Sequence, residues 1–191
     1  SDGDLIYYQR KSGDLILTTK FRIIELLKSV ENTSYNIFTG PQRKYMVFTM
    51  DPNFFNFYGI RHLQKIYISK FGEEKPPKPI AEGIEPSLQL DETWLSHFNP
   101  YTKVIEFIDL ENNVLKFEIK LKNIKNPYFI PQYIMLDKNT VLFTDLNESA
   151  YPGLLLFNRI TSKISVLYKA KSFLEKIEIC HANKTLFILF T

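Results

Sequence analysis

Cysteine, histidine and glycine are scarce in this chain: one, three and seven residues among 191. A single thiol, Cys180, excludes an internal disulfide and a cysteine-rich zinc centre. So few glycines leave no phosphate-cradling loop, and neither Gly-x-Ser-x-Gly nor His-Glu-x-x-His occurs. His62, His97 and His181 lie in different parts of the chain. Cys180 and His181 are neighbours in a strand pattern, so their side chains project to opposite faces and make no nucleophile–base pair. No cofactor and no metal site is expected, and the chain reads as non-catalytic. No apolar run reaches the roughly 18 residues needed to span a bilayer. No leader is visible at Ser1, which leaves the compartment open.

Charge of one sign is also missing. The net charge of +3 comes from 24 basic and 21 acidic residues dispersed along the chain. The lysines between Lys116 and Lys125 are interrupted by acidic and apolar residues, as on a solvated strand edge. Basic and aromatic residues do not concentrate together, so nucleic acid is not an expected partner.

What is abundant is aromatic and aliphatic: 16 Phe and 11 Tyr in a chain that is 45% hydrophobic, more than a disordered polypeptide carries. These residues recur in short runs. The anchors Val47, Trp94, Val141 and Leu186 fall 47, 47 and 45 residues apart, and a second series, Tyr8, Ile68, Phe107 and Phe157, falls 60, 39 and 50 apart. In the clearest repeat, Pro86 to Leu90, Trp94 to Phe98, Val104 to Asp109 and Val114 to Lys120 read as strands a, b, c and d, separated by polar turns. The next repeat follows with Gln132 to Leu136, Thr140 to Thr144, Leu154 to Asn158 and Lys163 to Tyr168. An earlier one, Tyr35 to Ile80, is less regular, and Pro76, Pro77 and Pro79 predict a short or irregular fourth strand, since proline donates no ladder hydrogen bond.

Repeats of roughly 40–50 residues with four short strands each are the sequence signature of a β-propeller. The ends look like halves of one repeat. Leu5 to Gln9 and Leu15 to Thr19 match a c–d hairpin, while Ile177 to His181 and Leu186 to Thr191 match an a–b hairpin. The expectation is an all-β domain over residues 1–191: four blades of four antiparallel strands, closed by pairing of the N- and C-terminal hairpins. A segment of a larger propeller is the alternative. Apolar residues at 23, 26, 27 and 30 have helical spacing and predict a short helix near 21–31, with an extended strand as the other reading.

The run Ile84-Glu85-Pro86-Ser87-Leu88-Gln89-Leu90-Asp91-Glu92-Thr93-Trp94-Leu95, followed by Ile105 to Leu110, resembles the TolB-type, WD-like propeller repeat. Pro131 to Phe143 with Leu154 to Asn158 is similar. The usual Asp-Gly turn is absent, with Asp91-Glu92 and Asp137-Lys138 in its place. The resemblance implies a fold used by periplasmic partner-binding propellers, peptidase-appended domains and bacterial surface proteins, which favours a periplasmic or extracellular setting while the compartment stays open.

Sorting the connections by face suggests where a site would lie. The a–b and c–d turns are small and polar. The b–c and d–a loops are longer and aromatic, carrying Phe54, Phe55, Phe57 and Tyr58 with Arg61, then Tyr101, Tyr128, Phe129 and Tyr151. Aromatic and arginine side chains anchor interfaces, so this face is the candidate for a protein or peptide partner. The competing reading folds these aromatics back as a structural plug. Carbohydrate or a small ligand at the mouth of the ring, stacked on Trp94, Tyr101 and Tyr151, is a further candidate. A third is a metal-dependent enzyme using Asp51, Asn99 and Asp145 at equivalent strand ends, although such residues more often cap turns.

Overall fold

The computed structural model describes residues 5–9, 14–18, 23–27, 34–40, 42–51, 63–71, 73, 77–112, 114–122, 129–146, 151–172, 177–182 and 185–190. All regular structure among them is antiparallel strand. The strands are β1 (Leu5–Gln9), β2 (Asp14–Thr18), β3 (Ile23–Leu27), β4 (Ser34–Thr39), β5 (Tyr45–Asp51), β6 (Gln64–Lys70), β7 (Lys78–Gln89) and β8 (Trp94–Asn99). They continue as β9 (Val104–Asp109), β10 (Val114–Lys120), β11 (Tyr133–Asp137), β12 (Thr140–Leu146), β13 (Pro152–Asn158), β14 (Lys163–Lys169), β15 (Ile177–Ala182) and β16 (Thr185–Phe190). Each sheet is a meander in chain order: β1–β3, β4–β10, β11–β14 and β15–β16.

The chain divides into two compact units, Ser1–Pro86 and Ser87–Thr191. In the first, β5 is the apolar centre, with Met46, Val47 and Phe48 fully buried. Val47 lies opposite Ile68 of β6, so the two sequence anchors meet as a cross-strand pair. One expectation needs correction and another holds. The segment expected to be helical contains β3, which pairs Ile24 with Leu17 and Leu27 with Leu15 of β2. Five residues are too few for apolar spacing to separate helix from strand, and the β-branched pair Ile23-Ile24 suits a pleated edge. The proline-rich fourth strand is irregular, as expected: it is the part of β7 that pairs with β6, from Lys78 to Gly83. It takes Pro79 opposite Tyr67 where the register with β6 slips, at an irregularity that absorbs a residue unable to donate.

The second unit stacks sheets face to face. β8 is buried along Trp94 to Phe98 and β12 along Val141 to Leu146, on both faces. Burial on both sides explains why these strands read as continuous apolar runs rather than as alternating ones. One interface is aromatic. Phe107 and Phe117 stack at 4.5 Å with an interplanar angle of 10°. Trp94 tilts against Phe117 at 5.7 Å, and Tyr133 of β11 and Phe157 of β13 complete the cluster. Arg159 lies over both Phe117 and Trp94, its guanidinium carbon 5.3 and 5.9 Å from the ring centres, as a cation–π lid. The next interface is aliphatic: Leu142 and Leu154 pack on Ile177, with Ile134, Leu156, Tyr168, Ile179 and Ile188 around them.

Glutamines tie one sheet to the next. The buried Gln89 donates from Nε2 to the hydroxyls of Ser87 and Ser96, and its Oε1 accepts from the backbone N–H of Met135 at 3.1 Å. Gln132 repeats the device one sheet on, its Oε1 accepting from the backbone N–H of Ile179. The Gln89 clasp satisfies a strand N–H that would otherwise be buried without a partner, whereas the Gln132 bond lies at the surface.

Candidate functional site

Because the strands of a meander alternate in direction, the a–b and c–d turns of the second unit share one end, and the b–c and d–a connections share the other. The first end is made of self-capped turns. Asp109 Oδ1 accepts from the backbone N–H groups of Glu111 and Asn112. Asp137 Oδ1 accepts from Asn139 N–H at 2.7 Å, and Asn158 Oδ1 from Thr161 N–H. These are Asx-type bonds that let short polar side chains stand in for a backbone turn. Where the family repeat carries Asp-Gly, this chain bends through Leu90, Asp91 and Glu92 with φ of 43°, 54° and 64°. Thr93 holds the bend by donating both N–H and Oγ to the Leu90 carbonyl.

The opposite end is knitted by longer-range bonds. Leu121 N–H donates to the Lys103 carbonyl, Ala170 N–H to Pro152, and Gln132 and Thr144 exchange bonds through backbone and hydroxyl. Asp145 sits there, its Oδ1 accepting from Leu146 N–H and its Oδ2 from Lys122 N–H. Burial pushes this carboxyl above the usual range, and the two backbone bonds pull it part of the way back. Both Asp145 oxygens therefore serve the backbone. Asn99, its counterpart on β8, uses Oδ1 to accept from Tyr101 and Thr102 N–H. Asn99 thus caps its turn and Asp145 bridges to the connection after β10, while the side chain of Asp51 lies outside the described residues. Among the described residues no group of three His, Cys, Asp or Glu converges.

Three of the expected anchors are described, and all lie at this end: Tyr101 in the β8–β9 turn, Phe129 before β11, and Tyr151 before β13. Tyr101 is 59% exposed, whereas Phe129 and Tyr151 are half-buried. Phe54, Phe55, Phe57, Tyr58, Arg61 and Tyr128 lie outside the described residues. Trp94 is corrected. It is buried, and it packs under Arg159 at the turn end, away from Tyr101, so it stacks on no ligand at the mouth of a ring.

His97 is fully buried on β8, opposite Glu106 of β9. Its Nε2 stands 3.4 Å from Glu106 Oε2, and neither ring nitrogen makes a hydrogen bond. Burial lowers its pKa to about 4, and burial together with Glu118 raises that of Glu106. A neutral, enclosed imidazole fits the structural place expected beside Phe98. The glutamine clasps, the Arg159 lid and the buried Glu92 were not legible: the residue types are ordinary surface types, and their partners or burial are set by three-dimensional register.

No family model matches the chain, and no curated protein does either. Solved structures do. The chain aligns over 99% of its length with 31% of a chain from a study of two prolyl endopeptidases, at a TM-score of 0.61 and 12% identity. It aligns over 86% with 52% of the β-propeller domain of the trilobed protease of Pyrococcus furiosus, whose topology is an open velcro, at 0.52 and 12%. With the WD40 domain of Toxoplasma gondii coronin it aligns over 92% of its own length and 49% of that chain, at 0.52 and 6%. The chain spans about half the length of these structures or less. No helix among the described residues is long and apolar enough to cross a membrane. Antiparallel meanders in chain order, and the propeller structures they align with, give the chain a β-propeller fold.

Proposed function

We propose that the chain is a non-catalytic binding module that recognises a protein or peptide through the b–c and d–a loop end of its blades. The observation that carries this reading is the asymmetry of the two ends. One consists of turns in which Asp109, Asp137 and Asn158 are spent on their own backbone, with the aliphatic Ile160 exposed among them. The other gathers Tyr101, Phe129 and Tyr151, with Tyr101 largely in solvent. An exposed aromatic on a short, capped turn loses little conformational entropy on binding, which is what an interface anchor requires. The aromatic loop with Phe54, Phe55, Phe57, Tyr58 and Arg61 belongs to the same set of connections by its place in the repeat.

The test is a pair of variants, Tyr101→Ala and the double variant Phe55→Ala/Tyr58→Ala, measured for capture of peptides selected on the parent protein and for melting. Weakened capture with melting within about 2 °C of the parent supports the reading, since surface changes rarely exceed roughly 0.5 kcal/mol. Unchanged affinity in a destabilised protein makes these aromatics a plug and overturns it.

The same reading includes a four-bladed ring in which Leu5–Gln9 completes the sheet begun by β15 and β16. It is supported by the complementary hairpin patterns of the two ends and by the two-stranded β15–β16 sheet, which takes no further strand among the described residues. Cysteines placed in Leu5–Gln9 and Thr185–Phe190 crosslink under mild oxidation if these strands are neighbours. Failure of every such pair removes closure and favours a segment of a larger propeller.

A further inference from the structure

Two outer strands of the second unit follow the same plan and end differently. β10 buries Ile119, half-buries Phe117, and carries charges of both signs in Glu118 and Lys120. β14 leaves every residue but Tyr168 exposed. Among them Ile164 is 42%, Val166 50% and Leu167 54% exposed. Ile164 and Val166 lie on one face of the strand. Leu167 is the residue skipped where the register with β13 slips between Leu154 and Leu155.

Ser165 is polar and Tyr168 is half-buried on the opposite face, so the exposed apolar surface is that of Ile164 and Val166 with Leu167 at the bulge. What these side chains share is the outer edge, because β14 is the last strand of its sheet. Such an edge is a template for another strand unless it is guarded. Here the guards are of one sign: Lys163 and Lys169 end the strand, Lys171 follows, all three are exposed, and no acidic residue interrupts them. Two copies paired antiparallel along this run would set the lysines of one against those of the other, which is unfavourable. A segment with acidic ends meets the opposite situation.

We propose that the β14 edge takes up an extended segment of a partner polypeptide by strand addition, the segment carrying alternate apolar residues between acidic ends. Backbone bonds to the Lys163–Val166 stretch supply the docking, Ile164, Val166 and Leu167 supply apolar cover, and Lys163 and Lys169 select the charge. This rim site is separate from the loop end and does not depend on it.

Fluorescence anisotropy with the full chain tests the proposal using three labelled peptides. One alternates valine and threonine between glutamate ends; the second has lysine ends; the third is the acidic peptide N-methylated at alternate backbone nitrogens. The acidic peptide should bind saturably, the lysine-ended one about tenfold or more weaker, and the N-methylated one not at all, since it cannot extend the ladder. Val166→Lys should weaken the acidic peptide about tenfold with melting unchanged, as the position is exposed. Equal binding of all three peptides, no binding of the acidic one, or parent-like binding by Val166→Lys overturns the proposal. So does a concentration-dependent dimer in sedimentation that Val166→Lys abolishes, because the edge would then belong to a second copy.

Discussion

Burial deprives His97 of its proton, and the cost appears as the solution is acidified. The unfolded chain takes up a proton near pH 6.5 and the folded chain only near 4. The folded pKa is depressed, so the unfolded state binds more protons throughout this window and stability falls as pH drops from 6.5 to 4, by on the order of 3 kcal/mol in all. Glu106 acts with the opposite sign. Its raised folded pKa favours the protonated fold, and that contribution is lost as pH rises through the folded value. Replacing His97 by Leu should flatten the fall in the urea midpoint between pH 6.5 and 4; an unchanged slope would place the acid sensitivity elsewhere. Gln89 offers a prediction independent of pH. Gln89→Leu strands the N–H of Met135 and should cost about 1–3 kcal/mol in chemical denaturation, with near-parental stability contradicting a role for the clasp.

At the scale of elements, turns were more legible than strand faces. The bounds of β1, β9 and β10 match the sequence expectation because Gly, Asn and Asp turns punctuate the chain independently of what lies beside it. The short apolar run around β3 fits either period, and the outer edge of β2, which sequence spacing does not reveal, selects the strand reading over the helical one. The β15–β16 hairpin shows what a misjudged edge would cost. Ile177 fills the aliphatic interface with Leu142 and Leu154, so Ile177→Ala should destabilise by about 2–5 kcal/mol in urea unfolding. A cost below about 1 kcal/mol would mean that the hairpin is a loosely attached appendage.

At the scale of the molecule, the propeller could be read from the repeat, because blades buried on both faces impose one apolar rhythm on every second strand. The candidate site was legible only in part. The sequence pattern separates polar from aromatic connections, but exposure is a tertiary property: Tyr101 projects into solvent while Trp94, the most conspicuous aromatic, is covered by Arg159. The central claim is that the aromatic end binds a polypeptide, and its most direct test is titration of a peptide selected on the parent protein against the Tyr101→Ala variant. A loss of affinity of about tenfold or more, at a melting temperature within about 2 °C of the parent, is the expected result. The same affinity for parent and variant, for every peptide so selected, would contradict it.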